Sequence, residues 1–402
     1  MTKQILIAGS GFAGTWAALA AARAVSLAGK EGEIAVTVVS PEPALHMRPR
    51  LYETAFDEMT PGIGPLLEAV GVRHLPGTVS DVDTAGRRVT VAGKDGTERV
   101  LSYDRFVLAT GSTLFRPAIP GLAEHAFDVD QFDGATRLHD HLTALAGRPD
   151  TPARNTVVVV GGGFTGIELA TKLPARLRSI LGPDAAVRVV VLERAPAVGW
   201  ELGDGPRPVI EEALADAGVE SRTGAAAGAI DAGGVVTTSG ERIEAATVVW
   251  TAGMRASPLA ARIPGAHDAL GRLAADRYLR AQGVPGVFVA GDVALAATDD
   301  DGNTALMSCQ HALKLGRVAG HNAAAELAGL PLHPYSQALY VTCLDLGPWG
   351  AVQTEGWDRR VVLTRGEAKA LKREINTKWI YPPAPDRQAA FTLADPAYEI
   401  VG

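Results

Sequence analysis

The chain has little cysteine, few aromatic residues, a deficit of positive charge and no long uninterrupted apolar run. Cys309 and Cys343 are the only cysteines in 402 residues. A disulfide framework and a cysteine-rich zinc site are therefore excluded, as is any closely spaced redox pair. Lys and Arg total 38 against 45 Asp and Glu, a net charge of -7. That balance speaks against nucleic acid, because phosphate binding needs a positive surface. The most membrane-like stretch, residues 12–29, carries Arg23 and follows directly on Gly9 and Gly11. It reads as a buried helix and falls short of the roughly 20 apolar residues a span requires. The first residues lead directly into a strand with no signal-peptide pattern, so a cytoplasmic protein is expected.

What is present in excess is glycine, 45 residues against 5% aromatics, which suits an α/β protein with many tight strand-to-helix turns. Residues 4–8 form an apolar run, followed by glycines, an alanine-rich helix and a second run at 34–39. This order is one βαβ unit of a parallel sheet. Residues 78–91 and 98–108 alternate apolar with polar positions and read as a small antiparallel patch leading into a buried strand. The same grammar restarts at Asn155 with a valine strand, three glycines, a helix to about Leu181 and a strand at 187–192. Residues 147–154, with two prolines, read as the linker between the two repeats. Further strands are expected at 247–250, 286–290, 337–344, 350–353 and 360–363, then a helix over 366–379 that Pro382 and Pro383 bring to an end.

Gly9-Ser10-Gly11-Phe12-Ala13-Gly14 fits G-x-G-x-x-G at the end of the first strand. The first glycine permits the tight turn and the second lets backbone approach a pyrophosphate. The third packs helix on strand, and the helix N-terminus offers free N–H groups. The strand that follows ends on Ser40, where such folds carry an acid for the ribose. Ser40 offers one hydrogen bond there. Glu42 either turns back past Pro41 or is a solvated loop residue. Gly161-Gly162-Gly163-Phe164-Thr165-Gly166 repeats the motif, and its following strand does end in an acid, Glu193. A carboxylate there bonds the ribose hydroxyls and repels a 2′-phosphate, which favours NADH over NADPH. Arg194 is either a partner for that phosphate or an exposed side chain against the adenine.

Together with Ala109-Thr110-Gly111, Ala252-Gly253 and Ala290-Gly291-Asp292, the two motifs make the chain resemble the two-dinucleotide-fold flavoproteins. The resemblance implies an α/β protein of two Rossmann-like folds plus a small C-terminal α+β domain. It implies an FAD-binding domain from residues 1–112 and 254–330, an NAD(P)H-binding domain from 113–253, and an interface domain from 331–402. FAD would be held by Gly9, Gly11, Phe12, Ala13, Gly14, Ser40, Arg48, Val79, Ala109, Thr110, Gly111, Gly291 and Asp292, the last on the ribityl chain. NADH would be held by Gly161, Gly163, Phe164, Thr165, Gly166, Glu193, Arg194, Ala252 and Gly253.

Within that superfamily the chain is most similar to the type II NADH:quinone oxidoreductases and their soluble relatives. The likeness rests on residues 46–53, on Gly162 to Glu168, and on Ser308-Cys309-Gln310-His311-Ala312-Leu313-Lys314. It implies catalytic roles for Glu168, Gln310 and Lys314 and a quinone or similar small molecule as acceptor. The helix at 309 departs from the pattern Ala-Gln-x-Ala-x-Gln by Cys309 and Lys314, which puts the quinone in doubt. Reduction of a small iron–sulfur protein and a slow-turnover redox sensor, similar to apoptosis-inducing-factor-like proteins, are the competing expectations. Glu168 is either a proton-handling carboxylate beside the nicotinamide or an acid complementing the helix dipole. Lys314 either stabilises negative charge on a reduced flavin or is a surface lysine. Cys309 is read as a small hydrophobe. His139-Asp140-His141 lacks a third ligand and is read as no metal site. On the final helix Ala368, Leu371, Ile375 and Trp379 form a stripe ringed by Lys369, Lys372, Arg373 and Lys378. It packs on its own domain or a dimer partner, or rests on an anionic membrane surface.

Overall fold

The computed structural model describes residues 2–399. The chain opens with β1 (Lys3–Ala8), α1 (Phe12–Leu27), β2 (Ile34–Ser40) and β3 (Arg73–Pro76). An antiparallel patch follows, β4 (Thr78–Asp83), β5 (Arg88–Ala92) and β6 (Glu98–Ser102), before β7 (Arg105–Leu108) returns to the core. The chain then builds a second sheet from β8 (Ala126–Phe127), α2 (Phe132–Ala144), β9 (Thr156–Val160), α3 (Phe164–Leu181), β10 (Arg188–Leu192), β11 (Val219–Arg222) and β12 (Thr247–Trp250). It comes back to the first sheet with β13 (Val287–Val289) and the long helix α4 (Cys309–Ala328). The first sheet has the order β13-β7-β1-β2-β3 and the second β11-β10-β9-β12-β8, every pair parallel. Strands buried on both faces explain the near-continuous valine runs. A ribbon of Ser112–Leu114 against Met254–Ala256 carries the chain between the sheets in both directions.

The alanine richness of α1 has a packing cause. The helix is buried continuously from Ala13 to Ala22, and α4 lies directly on it. A Cβ on Gly316 would sit 2.3 Å from the Ala13 carbonyl oxygen, and one on Gly320 would sit 2.0 Å from that of Ala17. The two helices meet backbone to backbone. No helix among the described residues is long and apolar enough to cross a membrane.

The last unit is an antiparallel sheet, β14 (Val341–Asp345), β15 (Ala351–Glu355) and β16 (Arg360–Thr364), covered by α5 (Arg365–Glu374) with a π-helical turn at Ile375–Trp379. Here the sequence reading of the stripe needs correction. The side of the helix that is fully buried carries Ala368, Lys372 and Asn376, while Leu371, Ile375 and Trp379 are half-buried beside it. A lysine occupies the inward position because a carboxylate waits for it, as described below.

His311, on the first turn of α4, joins this unit to the core. Its ring is 0% exposed and stacks on Tyr340 at 5.0 Å, and Tyr340 stacks on Trp357 at 5.0 Å. Burial pulls the imidazole down to about 4. Between pH 6.5 and about 4 the unfolded chain therefore binds a proton that the native chain refuses, so stability falls as pH drops through that window. The loss attributable to His311 is about 3 kcal/mol. We expect His311→Phe to lose less stability than wild type between pH 7 and pH 4.5 in urea titrations; equal losses would show that another group carries the acid sensitivity.

Candidate active site

Both glycine motifs fold into the same cradle. Gly9 adopts φ 102° and Gly161 φ 114°, a region closed to most side chains. A Cβ on Gly14 would lie 1.9 Å from the Gly9 carbonyl oxygen, and one on Gly166 1.9 Å from that of Gly161. Each helix can touch its strand only through glycine. At the middle glycines, Gly11 and Gly163, a Cβ would meet nothing within 4 Å. Open space in front of the N–H groups of a helix start is the shape a pyrophosphate needs, so both cradles fit a dinucleotide. Phe12, Ala13, Phe164 and Thr165 are the first residues of α1 and α3.

The strands after the cradles differ. Glu193 is held in place by two backbone donors: Gly162 N–H to Oε2 at 2.6 Å and Ala195 N–H to Oε1 at 2.7 Å. The carboxylate thus stands beside the second cradle, with Arg194 exposed next to it. Ser40 is buried, and its hydroxyl donates to the Glu42 carbonyl at 2.7 Å with His74 Nε2 2.9 Å away. The Glu42 side chain is exposed and pairs with His46 at 3.1 Å.

A polar cluster gathers at the carboxyl ends of β7 and β13. Ser112 donates to Asp292 Oδ2 at 2.5 Å, and Arg48 donates to Ser112 at 3.3 Å. Arg48 is itself anchored on Asp130 through an ion pair and through Nε to the carbonyl at 3.1 Å. Burial raises the Asp292 carboxyl, and Arg48 and Ser112 draw it back in part. Alongside, Thr110 Oγ1 and Gln310 Oε1 are buried with no partner among the described residues. Orphaned polar atoms of this kind ask for a ligand. They fit the cofactor that the first cradle admits. Ala109 and Gly111 carry the chain across this end, and Val79 lies in β4. Ala252 and Gly253 occupy the matching place in the second fold, where the Ala252 nitrogen would be 2.9 Å from a Cβ on Gly161.

Glu168 lies in the second turn of α3 and is 3% exposed. It accepts the Asp345 backbone N–H at 3.0 Å and pairs with Lys372 Nζ at 2.8 Å. Burial raises the carboxyl, and the Lys372 ammonium offsets this only in part. Burial alone would lower Lys372, which is 6% exposed, but the Glu168 charge and hydrogen bond outweigh it and carry the ammonium upward. The network continues through Asp345, which pairs with Lys172 at 3.0 Å and with Lys369 and accepts from the Tyr52 hydroxyl at 3.3 Å. Lys314 sits four residues beyond Gln310 on α4 and is paired with Glu399.

Sequence reading named Arg48 and Asp292 for the flavin and Gln310 for catalysis, but missed Ser112 and Asp130 as the partners of Arg48 and Asp292. It also missed Lys372, Asp345, Lys172 and Tyr52 around Glu168.

Two parallel folds, each with a glycine cradle at the carboxyl ends of its strands, define a two-dinucleotide oxidoreductase. Residues 3–316 match the pyridine nucleotide-disulphide oxidoreductase family, and the chain belongs to it. It is an oxidoreductase with FAD and a pyridine nucleotide as its cofactors. NADH dehydrogenase-like protein Rv1812c of Mycobacterium tuberculosis is 51% identical over 386 residues, 95% of each chain. Type II NADH:quinone oxidoreductase NdhA of the same organism is 30% identical over 318 residues, 72% of this chain and 66% of its own. The fold is that of NDH2 from Plasmodium falciparum solved with NADH, at TM-score 0.78 and 13% identity over 98% of this chain and 97% of that one. The disulphide of the family name has no counterpart here. Cys309 and Cys343 are both free thiols, and burial raises both, Cys343 to about 11.

Proposed function

We propose that this protein oxidises NADH and passes the electrons to a quinone-type acceptor. The reading is carried by Glu193, fixed at the second cradle by two N–H donors. A carboxylate so held bonds ribose hydroxyls and repels a 2′-phosphate, which selects NADH. The first fold, residues 1–112 and 254–330, takes FAD, and the second, 113–253, takes NADH, with the remaining C-terminal residues as an interface domain. FAD, when bound, supplies the two-electron store between donor and acceptor.

The chain's own groups then have defined tasks. Gly11 and Gly163 leave room for the pyrophosphates, and Asp292, steadied by Ser112 and Arg48, accepts from the ribityl hydroxyls. Glu168, whose carboxylate is balanced by the Lys372 ammonium, can take up and release a proton, which suits hydride chemistry that leaves one proton to place. Gln310 and Lys314 stand at the start of α4, where the acceptor side lies. The names of relatives support a quinone, and the free thiols of Cys309 and Cys343 leave no disulfide to carry electrons instead.

The test is an acceptor screen on NADH-reduced holoenzyme. Short-chain quinones should reoxidise it rapidly; reoxidation by a ferredoxin-type protein alone, or by nothing, would overturn the quinone reading. Glu193→Ala should cut the preference for NADH over NADPH roughly tenfold, the loss of one charge-assisted hydrogen bond. An unchanged preference would refute the role given to Glu193.

A further inference from the structure

A cavity of about 540 Å³ lies away from both cradles. It opens between α2, the far half of α3 and the loop at Tyr52–Ala55. Arg176, on its wall, lies ten residues beyond Gly166 along α3, about 15 Å down the helix axis. Arg176 therefore lies well away from the pyrophosphate position at the N-terminus of α3.

Charge in this cavity is unbalanced. Glu53 is committed to Arg50 at 2.9 Å and to Asn376 at 2.8 Å. Lys172 is matched by Asp345 at 3.0 Å. Arg176 has no carboxylate within ion-pair reach among the described residues. Its guanidinium donates instead to His139 Nδ1 at 2.9 Å, and burial pulls it down to about 10. An imidazole nitrogen in this position gives the guanidinium a hydrogen-bond partner but no negative charge. The imidazole is fixed edge-on against Phe56 at 5.4 Å. A half-buried guanidinium set against an imidazole and no carboxylate, with a lysine one turn away on the same face, suits an anion.

We propose that this cavity binds a small organic anion, presenting one carboxylate or phosphate to Arg176 and Lys172 and its apolar body to Ile180 and Tyr52. The volume falls within the range of small-molecule pockets. The site communicates with the Glu168 pair, because Lys172 is shared with Asp345, whose backbone N–H bonds Glu168. An occupant competes with Asp345 for that lysine, so the ligand belongs to the class of effectors.

The test is calorimetric titration of the FAD-loaded protein with phenyl phosphate and, separately, with benzoate. One of the two should bind once per chain, which also distinguishes a phosphoryl from a carboxylate ligand. Arg176→Gln should weaken that binding roughly tenfold or more, while Glu193→Ala should leave it unchanged. If Arg176→Gln does not fold, Arg176→Lys should still bind more weakly than wild type. Binding of neither anion, equal binding by the Arg176 variant, or displacement by saturating NADH would overturn the proposal.

Discussion

Gly166→Ala should yield a yellow protein that NADH reduces about a hundredfold more slowly, and Gly14→Ala one that holds its flavin about a hundredfold more weakly. In each case the new methyl would lie 1.9 Å from a carbonyl oxygen of the preceding turn, and for Gly166 also 2.9 Å from Thr251 Oγ1. Backbone cannot yield as a flexible side chain would, so the helix must retreat from its strand by more than 1 Å. The N–H groups of the cradle retreat with it, and displacements of that size at a binding site cost about a hundredfold. Absorbance near 450 nm reports flavin retention and stopped-flow bleaching reports reduction. The two variants thus separate the two folds in one experiment. If Gly166→Ala lost its colour while Gly14→Ala kept it, the assignment of FAD to the first cradle would be reversed.

The second large effect concerns Lys372. Lys372→Met leaves Glu168 buried with its counter-charge gone, and losing one partner of such a pair costs about 3–5 kcal/mol. Replacing both, Glu168→Gln with Lys372→Met, should restore much of that stability, because an apolar or neutral pair has no charge to desolvate. Urea titrations of the four proteins form a double-mutant cycle. A single-variant loss below about 1 kcal/mol, with no coupling to Glu168, would show the pair to be solvated. The same cycle read by the pH dependence of NADH-driven flavin reduction distinguishes a proton-handling carboxylate from a merely structural one. Lys372→Met should shift that profile, since an unpaired buried carboxyl takes up a proton more readily.

The cradles were legible in the sequence because every requirement is local. Gly9 to Gly14 and Gly161 to Gly166 specify a turn, an opening and a close approach within six residues, and the flanking strands confirm them. Glu193 was legible for the same reason, being fixed by Gly162 and Ala195. Ser40 shows how far a motif reaches. The missing acid could be read, but not that the hydroxyl turns inward to Glu42 and His74. Lys372 was misread because a lysine in a helix is scored as surface, and its partner lies on a helix two hundred residues earlier. No periodicity reports an ion pair that only the assembled fold creates. Ser112 and Asp130 behind Arg48 escaped notice on the same ground.

The first sheet is completed by β13, and α1 is covered by α4, both of which arrive after the whole of the second sheet. A growing chain therefore finishes its second fold first. Residues 126–250 hold every strand of that sheet, whereas α1 must wait with its alanine face bare until Gly316 and Gly320 emerge. The order of completion is thus the reverse of the order in which the folds begin, and the half-made first fold is the state most exposed to misassembly. Truncation after residue 250 would leave it permanently in that state.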